Sequence, residues 1–593
     1  MSKLTLVTEA EAPTDTQIGQ ERPYYAVYTK DTVIDGKHFH AGTWYHTLKH
    51  SEQDGKSIPI DKRLCDPLHI DAETISSDDG STGRLLRFTN KHGQLIEWVM
   101  PMEMIAGSGE ELLRNFYRQG LSVNHDLRRS IPSYVGKEQG TTRILTTTAK
   151  TGWHKSGAFV LPNNVIGGND IRYQDSGKAA TIFSSQGSLE AWQKEVAALC
   201  VGNPVLILSV CCALAGPLLH KVAVNGGGVH LVGDSSSGKS LAQEVAASVW
   251  GHPKTFTASW DISKGGIEIE AASRNDTVFI LDEIKRADPN KVQEMAYAIA
   301  NGMGKSTMTR EREGRAKLYW RVLALSSGER SLSEHAAIAG NSAHAGAELR
   351  MVDVDAGKRK YKAFDYLHGI ADGDSFHKVL TTASVTDYGH AGIAMVKNLL
   401  TQTDKNFFIT AFSEQRKVFN SKSPQAGRVA DRFTVMALAG ELAITYGVLP
   451  WPTGTAQTAC KQLFNEWLSK VGDGNAEDKQ ISKAILDFIA VHGDSRFSDY
   501  DSKYAASHVN NRAGYYLIDK DKYDKDKDKR FYLFNVPALC EAAKGFSQER
   551  ILNTLEAYDA LAMTDKGRRN KEYRLHGGGR ARFFVIDPEK LEH

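Results

Sequence analysis

The chain has 593 residues, more than one hydrophobic core organises, and a prior of about 150 residues per domain divides it into roughly three to five units. Its 41% hydrophobic and 24% charged residues are those of a globular protein, and a net charge of +2 excludes a uniformly basic surface, so a nucleic-acid partner would have to be met by local basic clusters. Six cysteines, none in a CxxC pair, exclude a zinc ribbon and fit a reducing compartment.

In chain order, residues 1–23 read as a polar, flexible leader without the apolar core of a signal peptide. Residues 24–185 read as a β-rich domain: short apolar runs such as Tyr24-Tyr25-Ala26-Val27-Tyr28 and Leu85-Leu86-Arg87-Phe88 alternate with turns at Asp35-Gly36 and Asp79-Gly80. One helix is expected there, from Gly109 to Gly120. Two helices follow over Ser188–Leu219. The apolar stretch Val205–Leu219 is shorter than the roughly 20 residues of a membrane span and is broken by Gly216-Pro217. It reads as a buried helix, with no membrane partner and a cytoplasmic location.

Over residues 186–360 strand and helix signals alternate. Strands are expected at Val229–Val232, Thr255–Ser259, Thr277–Leu281, Val322–Ser326 and Leu349–Val354, with helices at Lys239–Trp250, near 266–273 and near 289–301. Short apolar strands alternating with helices predict an α/β fold with a parallel, doubly wound sheet. Residues 361–480 read as helical, including a long stretch over Arg428–Tyr446, and form an expected lid. Residues 481–593 mix helices with hairpins. Among them, Asp519–Arg530 alternates in charge and reads as a solvated loop between two strands.

The chemistry is concentrated in the alternating region. Gly233-Asp234-Ser235-Ser236-Ser237-Gly238-Lys239-Ser240 matches GxxxxGK[ST] between a strand and a helix. Glycines let the backbone curl so that its N–H groups face phosphates, and the helix N-terminus adds positive potential. Lys239 is expected to reach the β- and γ-phosphates, and Ser240 to hold Mg2+. The apolar run Thr277–Leu281 ends in Asp282-Glu283. Asp282 is expected to hold the Mg2+ through water and Glu283 to act as general base on the attacking water. The paired acids point to ATP hydrolysis.

Trp320–Glu329 supplies a further buried strand ending in hydroxyls, with Ser327 the first choice and Ser326 the second for contact with the γ-phosphate and water. Arg350, just before Met351-Val352-Asp353-Val354, suits an arginine finger acting on a neighbouring subunit's ATP. Arg428 and Arg432, four apart on one helical face, offer a lid arginine for the γ-phosphate.

Three segments suit DNA. Lys264 lies in the loop Trp260–Gly266, which faces the central pore in ring ATPases; Trp260 beside it leaves open the aromatic pore of a protein-threading ring. Lys305, Arg310, Arg312, Arg315, Lys317 and Arg321 surround a turn at Glu313-Gly314 and suggest a basic hairpin. Lys566, Arg568 and Arg569 open the basic stretch that follows an expected helix over Gln548–Ala562 and precedes the strand Arg582–Ile586, the order of a winged helix.

The sequence resembles the family of domains of unknown function numbered 927, found on mobile elements and prophages. The resemblance rests on Gly152-Trp153-His154, on Leu231–Ser240, on Leu281-Asp282-Glu283-Ile284, on Ala300–Lys305, on Leu325–Glu329 and on Ala439–Ala443. It is similar to the AAA+ replicative helicases of staphylococcal cassettes and pathogenicity islands, which resemble minichromosome-maintenance helicases. The resemblance implies an AAA+ core with a β-rich collar or DNA-admitting domain, a helical lid and a winged-helix domain. It also implies a homo-hexameric, ATP- and Mg2+-dependent helicase or replication initiator of a mobile element, acting on single-stranded and forked DNA. No acidic primase constellation is present in the sequence, so priming and polymerising imply a separate partner. The competing expectations are an AAA+ ATPase that remodels or loads a protein, and a DNA-binding regulator with a vestigial ATPase, against which Lys239, Asp282 and Glu283 all count.

Overall fold

The computed structural model describes residues 21–592 except 51–54, 138–142, 175–180, 236, 306–316, 341–344, 405, 472–475, 503–508, 510, 520–528 and 576–577. Residues 1–20 of the expected leader, Ser236, the expected hairpin tip with Arg310, Arg312 and Arg315, and the middle of the charged Asp519–Arg530 stretch therefore lie outside the described residues.

The core is a five-stranded, all-parallel sheet made of β1 (Gly227–Val232), β2 (Ala258–Ser259), β3 (Val278–Asp282), β4 (Leu323–Gly328) and β5 (Met351–Asp355), in the order β2-β3-β4-β1-β5. Buried parallel strands are apolar on both faces, as β3 (VFILD) and β4 (LALSSG) are up to the polar residues at their carboxyl ends. The first strand sits between the fourth and the fifth: the chain leaves β1 toward β2 on one side, and the connection from β4 to β5 crosses β1 to the other. Ligands of open α/β sheets bind at the carboxyl ends of the strands at such a switch point.

Helix α1 (Pro204–Val222) explains how the rest assembles. Every residue of it except His220 and Lys221 is buried. It is long and apolar enough to cross a membrane, yet 89% of its apolar window is buried inside the protein. A helix apolar all round needs partners on every side. On the sheet side these are β3, β4 and α2 (Lys239–Ser248). After α3 (Lys264–Ser273) and α4 (Val292–Asn301), which flank β3 in sequence, come α5 (Gly373–Thr386), α6 (Ala391–Thr401), α7 (Phe407–Arg416), α8 (Pro424–Thr445) and α9 (Thr455–Val471). Of these, α6 to α9 supply the remaining partners of α1, and α5 packs on α2. The helices expected as a lid therefore share one hydrophobic cluster with the sheet, through Phe376, Val396, Phe433 and Phe464.

The β-rich region is present, with a difference at its end. Tyr24–Tyr28, Gly42–His50 and Ser57–Cys65 form one antiparallel sheet, and Leu68–Ser76, Thr82–Thr89 and Leu95–Pro101 anchor a five-stranded one. The helix Glu110–Gln119 buries Leu112, Leu113 and Phe116 and is bounded by Gly109 and Gly120, both left-handed. The small sheet Gly152–Trp153, Phe159–Leu161 and Asn164–Ile166, by contrast, gives Phe159, Leu161 and Ile166 to the cluster around α1. The apolar run Phe159-Val160-Leu161 suits a β domain or a helix-backed layer equally well, and the apolar side of α1 that it helps to cover decides.

The second expected strand, Thr255–Ser259, shrinks to Ala258–Ser259. Pro253–Phe256 instead makes a helical turn, with Pro253 in the first turn and the His252 ring accepting from Lys254 N.

The C-terminal unit has its own core, with Ile481, Ile485, Phe534, Leu539, Ile551 and Ile586. Its elements are α10 (Ala476–His492), β6 (Phe497–Asp499), β7 (Gly514–Asp519), β8 (Lys529–Phe534), α11 (Val536–Ala542), α12 (Gln548–Ala557), β9 (Leu561–Met563), β10 (Lys571–Arg574) and β11 (Arg580–Ile586). β7 and β8 are antiparallel on either side of the charged stretch. The expected helix to Ala562 stops at Ala557 because Asp559 turns left-handed and Leu561–Met563 joins β11 as a strand.

Candidate functional site: a phosphate loop and two acids at one end of the sheet

β1 delivers the glycine loop and α2 begins at Lys239. Gly238 has φ of +102°, and a Cβ there would stand 2.8 Å from the Phe364 ring, so only glycine fits. Ala363 N donates to Ser237 O at 2.9 Å, which fastens the loop from outside. Lys239 Nζ donates to Gly233 O and Asp234 O at 2.7 Å and to Ser237 Oγ at 3.2 Å. Burial lowers the pKa of this ammonium, opposed by Glu283, Glu329, Asp234 and Asp282. The ammonium and the loop's amides thus stand where an anion would be gripped.

Asp282 ends β3, and Ser327, in β4, donates from Oγ to Asp282 Oδ1 at 3.0 Å. The same Oγ accepts from Glu283 N at 3.3 Å. Glu283 is itself left-handed, with φ +60° and ψ 82°. Such a conformation in a residue other than glycine costs about 1–3 kcal/mol and is held where surrounding structure imposes it. Its Oε1 is buried and has no hydrogen-bond partner among the described residues. An unpartnered buried carboxylate oxygen needs a ligand or water to satisfy it.

Ser326 faces elsewhere. Buried in β4, it meets His230 Nδ1 and accepts from Trp260 Nε1, both at 2.8 Å. That choice between the two serines favours Ser327 on geometry. It also removes Trp260 from any pore, since its ring is buried.

Comparison with known proteins bears on this arrangement. Residues 36–318 match the family model described as domain of unknown function (DUF927). Over this stretch the chain is similar to the DUF927 family. It holds the glycine loop and both acids, whereas Ser327 lies just beyond it. A search of curated proteins gives no match. Among solved structures, "SCCmec type IV Cch - active helicase" superposes with a TM-score of 0.69 at 16% identity, over 98% of this chain and 100% of that one. At that identity the likeness establishes a shared fold. The apo A form of the NrS-1 C terminal region aligns at a TM-score of 0.30 and 8% identity, over 88% of this chain and 96% of that one, and carries no argument.

Around the glycine loop lie two cavities that share Ser240. One, of about 250 Å³, is lined by Ser240, Gln243, Lys254, Asp282 and Arg286. The other, of about 500 Å³, is lined by Ser237–Ser240 and by Asp374, His377 and Lys378 of α5. Two contributors were missed by sequence reasoning. Gln243 donates from Nε2 to Leu281 O at 2.9 Å and Leu325 O at 3.1 Å, clamping α2 onto β3 and β4; its place four residues after Lys239, on the sheet-facing side of α2, was the available signal. The α5 residues carry no local signal, because a contact between α5 and α2 spans well over a hundred residues.

A hydroxyl at Ser240 and a carboxylate at Asp282 are hard oxygen donors, which fit Mg2+. No cluster of three or more His, Cys, Asp or Glu side chains able to hold a metal occurs among the described residues. Mg2+ is commonly held by one or two protein oxygens together with substrate phosphates, which this pair would allow.

The arginines sit at the opposite end of the sheet. Arg350 precedes β5, donates to Gly346 O at 3.0 Å and stacks its guanidinium 4.2 Å from the Tyr297 ring centre. Arg432 is buried and donates to Arg350 O at 2.6 Å and to Leu349 O. Burial lowers its pKa to about 10, so it stays charged. Its donors are spent on the backbone leading into β5 and it lies against Gly227, at the far end of β1 from the loop. The expected nucleotide contact for Arg432 is therefore corrected to a structural one. Arg428, a turn earlier on α8, is exposed.

The expected DNA residues fall in two places. Lys264, at the start of α3, pairs with Glu294 on α4, and Lys305 reaches the same Glu294 Oε1 at 3.3 Å. These lysines, Lys264 first, hold the Glu294 carboxyl below its usual range. Beyond Lys305, Gly304 N donates to Leu318 O and Trp320 N to Gly302 O, both at 2.9 Å, an antiparallel base from which Lys317 is exposed. In the C-terminal unit Lys566 and Arg568 are exposed on the turn after β9, whereas Arg569 donates to Glu556 at 2.9 Å and Asn553 at 2.7 Å on α12.

Proposed function

We propose that the chain is an ATP-hydrolysing, ring-forming DNA helicase or replication initiator of a mobile element. The observation that carries this reading is the meeting of the Gly233–Ser240 loop, Asp282, Glu283 and Ser327 at the carboxyl ends of adjacent parallel strands. The loop amides and Lys239 would bind the phosphates of ATP. Ser240 and Asp282 would hold Mg2+, which when bound neutralises phosphate charge. Glu283 would accept a proton from the attacking water as its oxygen bonds to the γ-phosphorus and the bond to ADP breaks, and Ser327 would hold the two acids in register.

Arg350 and the exposed Arg428 would serve a neighbouring subunit, because both stand at the end of the sheet away from their own loop. Lys264, Lys305, Lys317 and the basic segment 306–316 would track single-stranded DNA in the ring. The α11–α12 pair followed by the β9–β11 strands supports a winged-helix reading, with Lys566 and Arg568 toward duplex phosphates. Priming would come from a separate protein.

The burial of Trp260 favours DNA over a protein-threading ring. The test is unwinding of a forked duplex with ATP and Mg2+ by wild type, Lys239→Ala and Glu283→Gln. Wild type should separate strands and neither variant should. ATP hydrolysis without strand separation at saturating protein would move the chain to the protein-remodelling reading. A strict monomer in the presence of a non-hydrolysable nucleotide would remove the ring.

A further inference from the structure

α5 begins where Asp372 caps Ser375 N at 2.7 Å, and it buries Phe376 and Leu380 on its inner side. Asp374, His377, Lys378 and Thr381 recur at i, i+3, i+4 and i+7, so they share the other side. Thr381 Oγ1 donates to Glu244 Oε2 at 3.0 Å and docks that side on α2, the helix that opens with Lys239 and Ser240. The docking leaves Asp374, His377 and Lys378 across a 500 Å³ cavity from Ser237–Ser240.

The two cavities beside the loop differ in chemistry. The smaller carries Asp282 next to Ser240, the end at which a metal and a γ-phosphate would meet. The larger has neither Asp282 nor Glu283 in its lining and faces the loop's last residues, whose amides in such loops cradle the α- and β-phosphates. An ammonium and an imidazole opposite those amides suit an anion held from both sides, and a carboxylate one turn earlier suits sugar hydroxyls.

We propose that Asp374, His377 and Lys378 of α5 form the second wall of the nucleotide cleft and grip the α-phosphate and sugar end, with Lys378 the principal contact. The proposal rests on the nucleotide reading above. It makes α5, rather than Arg428 or Arg432, the intramolecular partner of the loop. Because the α-phosphate and sugar are common to ADP and ATP, these residues set affinity for both and leave the hydrolytic step to Asp282, Glu283 and Ser327.

The test is binding of Mg-ADP and of a non-hydrolysable Mg-ATP analogue to the full chain by calorimetry, with steady-state ATPase assays, for wild type, Lys378→Ala, Lys378→Glu, Lys378→Arg and His377→Gln. Thermal unfolding checks that each variant is folded. Lys378→Ala should weaken both nucleotides by a similar factor of about ten, Lys378→Glu by more, and Lys378→Arg by less than about threefold, with the ATPase defect in KM rather than kcat. Unchanged affinity for both nucleotides in folded Lys378→Ala and Lys378→Glu would overturn the proposal. So would a loss confined to the ATP analogue, which would move Lys378 to the γ-phosphate. If wild type binds neither nucleotide, the reading of the loop fails first and takes the wall with it.

Discussion

Ser327 Oγ donates to Asp282 Oδ1 at 3.0 Å while accepting from the N–H of Glu283 at 3.3 Å, so one hydroxyl of β4 ties together both acids at the end of β3. Ser327→Ala removes that tie and leaves the glycine loop untouched. It should lower kcat for ATP hydrolysis by about 10- to 100-fold, equivalent to roughly 1.4–2.7 kcal/mol of transition-state stabilisation, with nucleotide affinity within a few-fold of wild type. Steady-state kinetics beside a binding titration separates the two. A kcat equal to wild type would leave Ser327 as a strand-end hydroxyl with no part in turnover.

Lys264, which opens α3, and Lys305, which follows α4, meet on Glu294. If both lysines face DNA, Glu294 competes with phosphate for them. Lys264→Ala and Lys305→Ala should each weaken single-stranded DNA binding and reduce the salt slope by about 0.7, the share of one phosphate contact. Glu294→Gln should tighten binding, because it frees both ammonium groups. Anisotropy of a labelled oligonucleotide across a salt series measures all three. A Glu294→Gln variant that binds DNA more weakly would show that the lysines stabilise α3 and α4 instead.

The loop and the two acids were legible in the sequence because their chemistry imposes a local pattern: glycines where the backbone curls at Gly238, a lysine opening a helix, acids at the end of an apolar run. The five core strands were legible for the same reason, apart from β2, whose Pro253 favours a helical turn. Arg432 and the α5 wall were not legible. Nothing near Arg432 in sequence announces that its donors go to Leu349 and Arg350, and Asp374, His377 and Lys378 look like any solvated helix face until α5 docks on α2. The joining of distant segments was not legible either: α1, apolar all round, draws Phe159, Phe376 and Phe433 into one core.

Arg350 stands at the far end of the sheet from its own loop, stacked on Tyr297. In the proposed ring, an arginine so placed would act on a neighbour's nucleotide. Arg350→Ala should keep nucleotide affinity and lose ATPase activity by at least about 100-fold, the scale of a lost arginine finger. Mixing it with Lys239→Ala offers a sharper measurement. Where an Arg350→Ala subunit supplies the loop and a Lys239→Ala subunit supplies the arginine, one interface is whole, so the mixture should regain activity that neither variant has alone. No recovery in mixed assemblies, shown to be mixed by differential tags, would return Arg350 to a structural role.

Gly152-Trp153-His154, part of the pattern that carries the family resemblance, meets the core immediately before β3. Trp153 N donates to Asp276 Oδ2 at 2.9 Å, Trp153 Nε1 to Pro217 O at 2.8 Å, and the Lys221 ammonium lies 4.0 Å from the Trp153 ring centre. Gly152 has φ of +87°, and a Cβ there would stand 2.4 Å from Asp276 Oδ2, so the close approach needs glycine. Burial pushes the Asp276 carboxyl up to about 6 from 3.8, against the pull of the Trp153 N–H, Arg321, Asn275 and Lys221. A carboxyl whose pKa is raised in the folded state binds its proton more tightly there than when unfolded. Its stabilising contribution is therefore full below about pH 4 and is lost as pH rises through about 6. Asp276→Asn keeps an acceptor for Trp153 and cannot ionise. Relative to wild type it should be neutral near pH 4 and more stable by about 1–3 kcal/mol near pH 7. Denaturant unfolding at intervals across that range is the measurement, and a constant difference between the two proteins would mean that Asp276 does not titrate there.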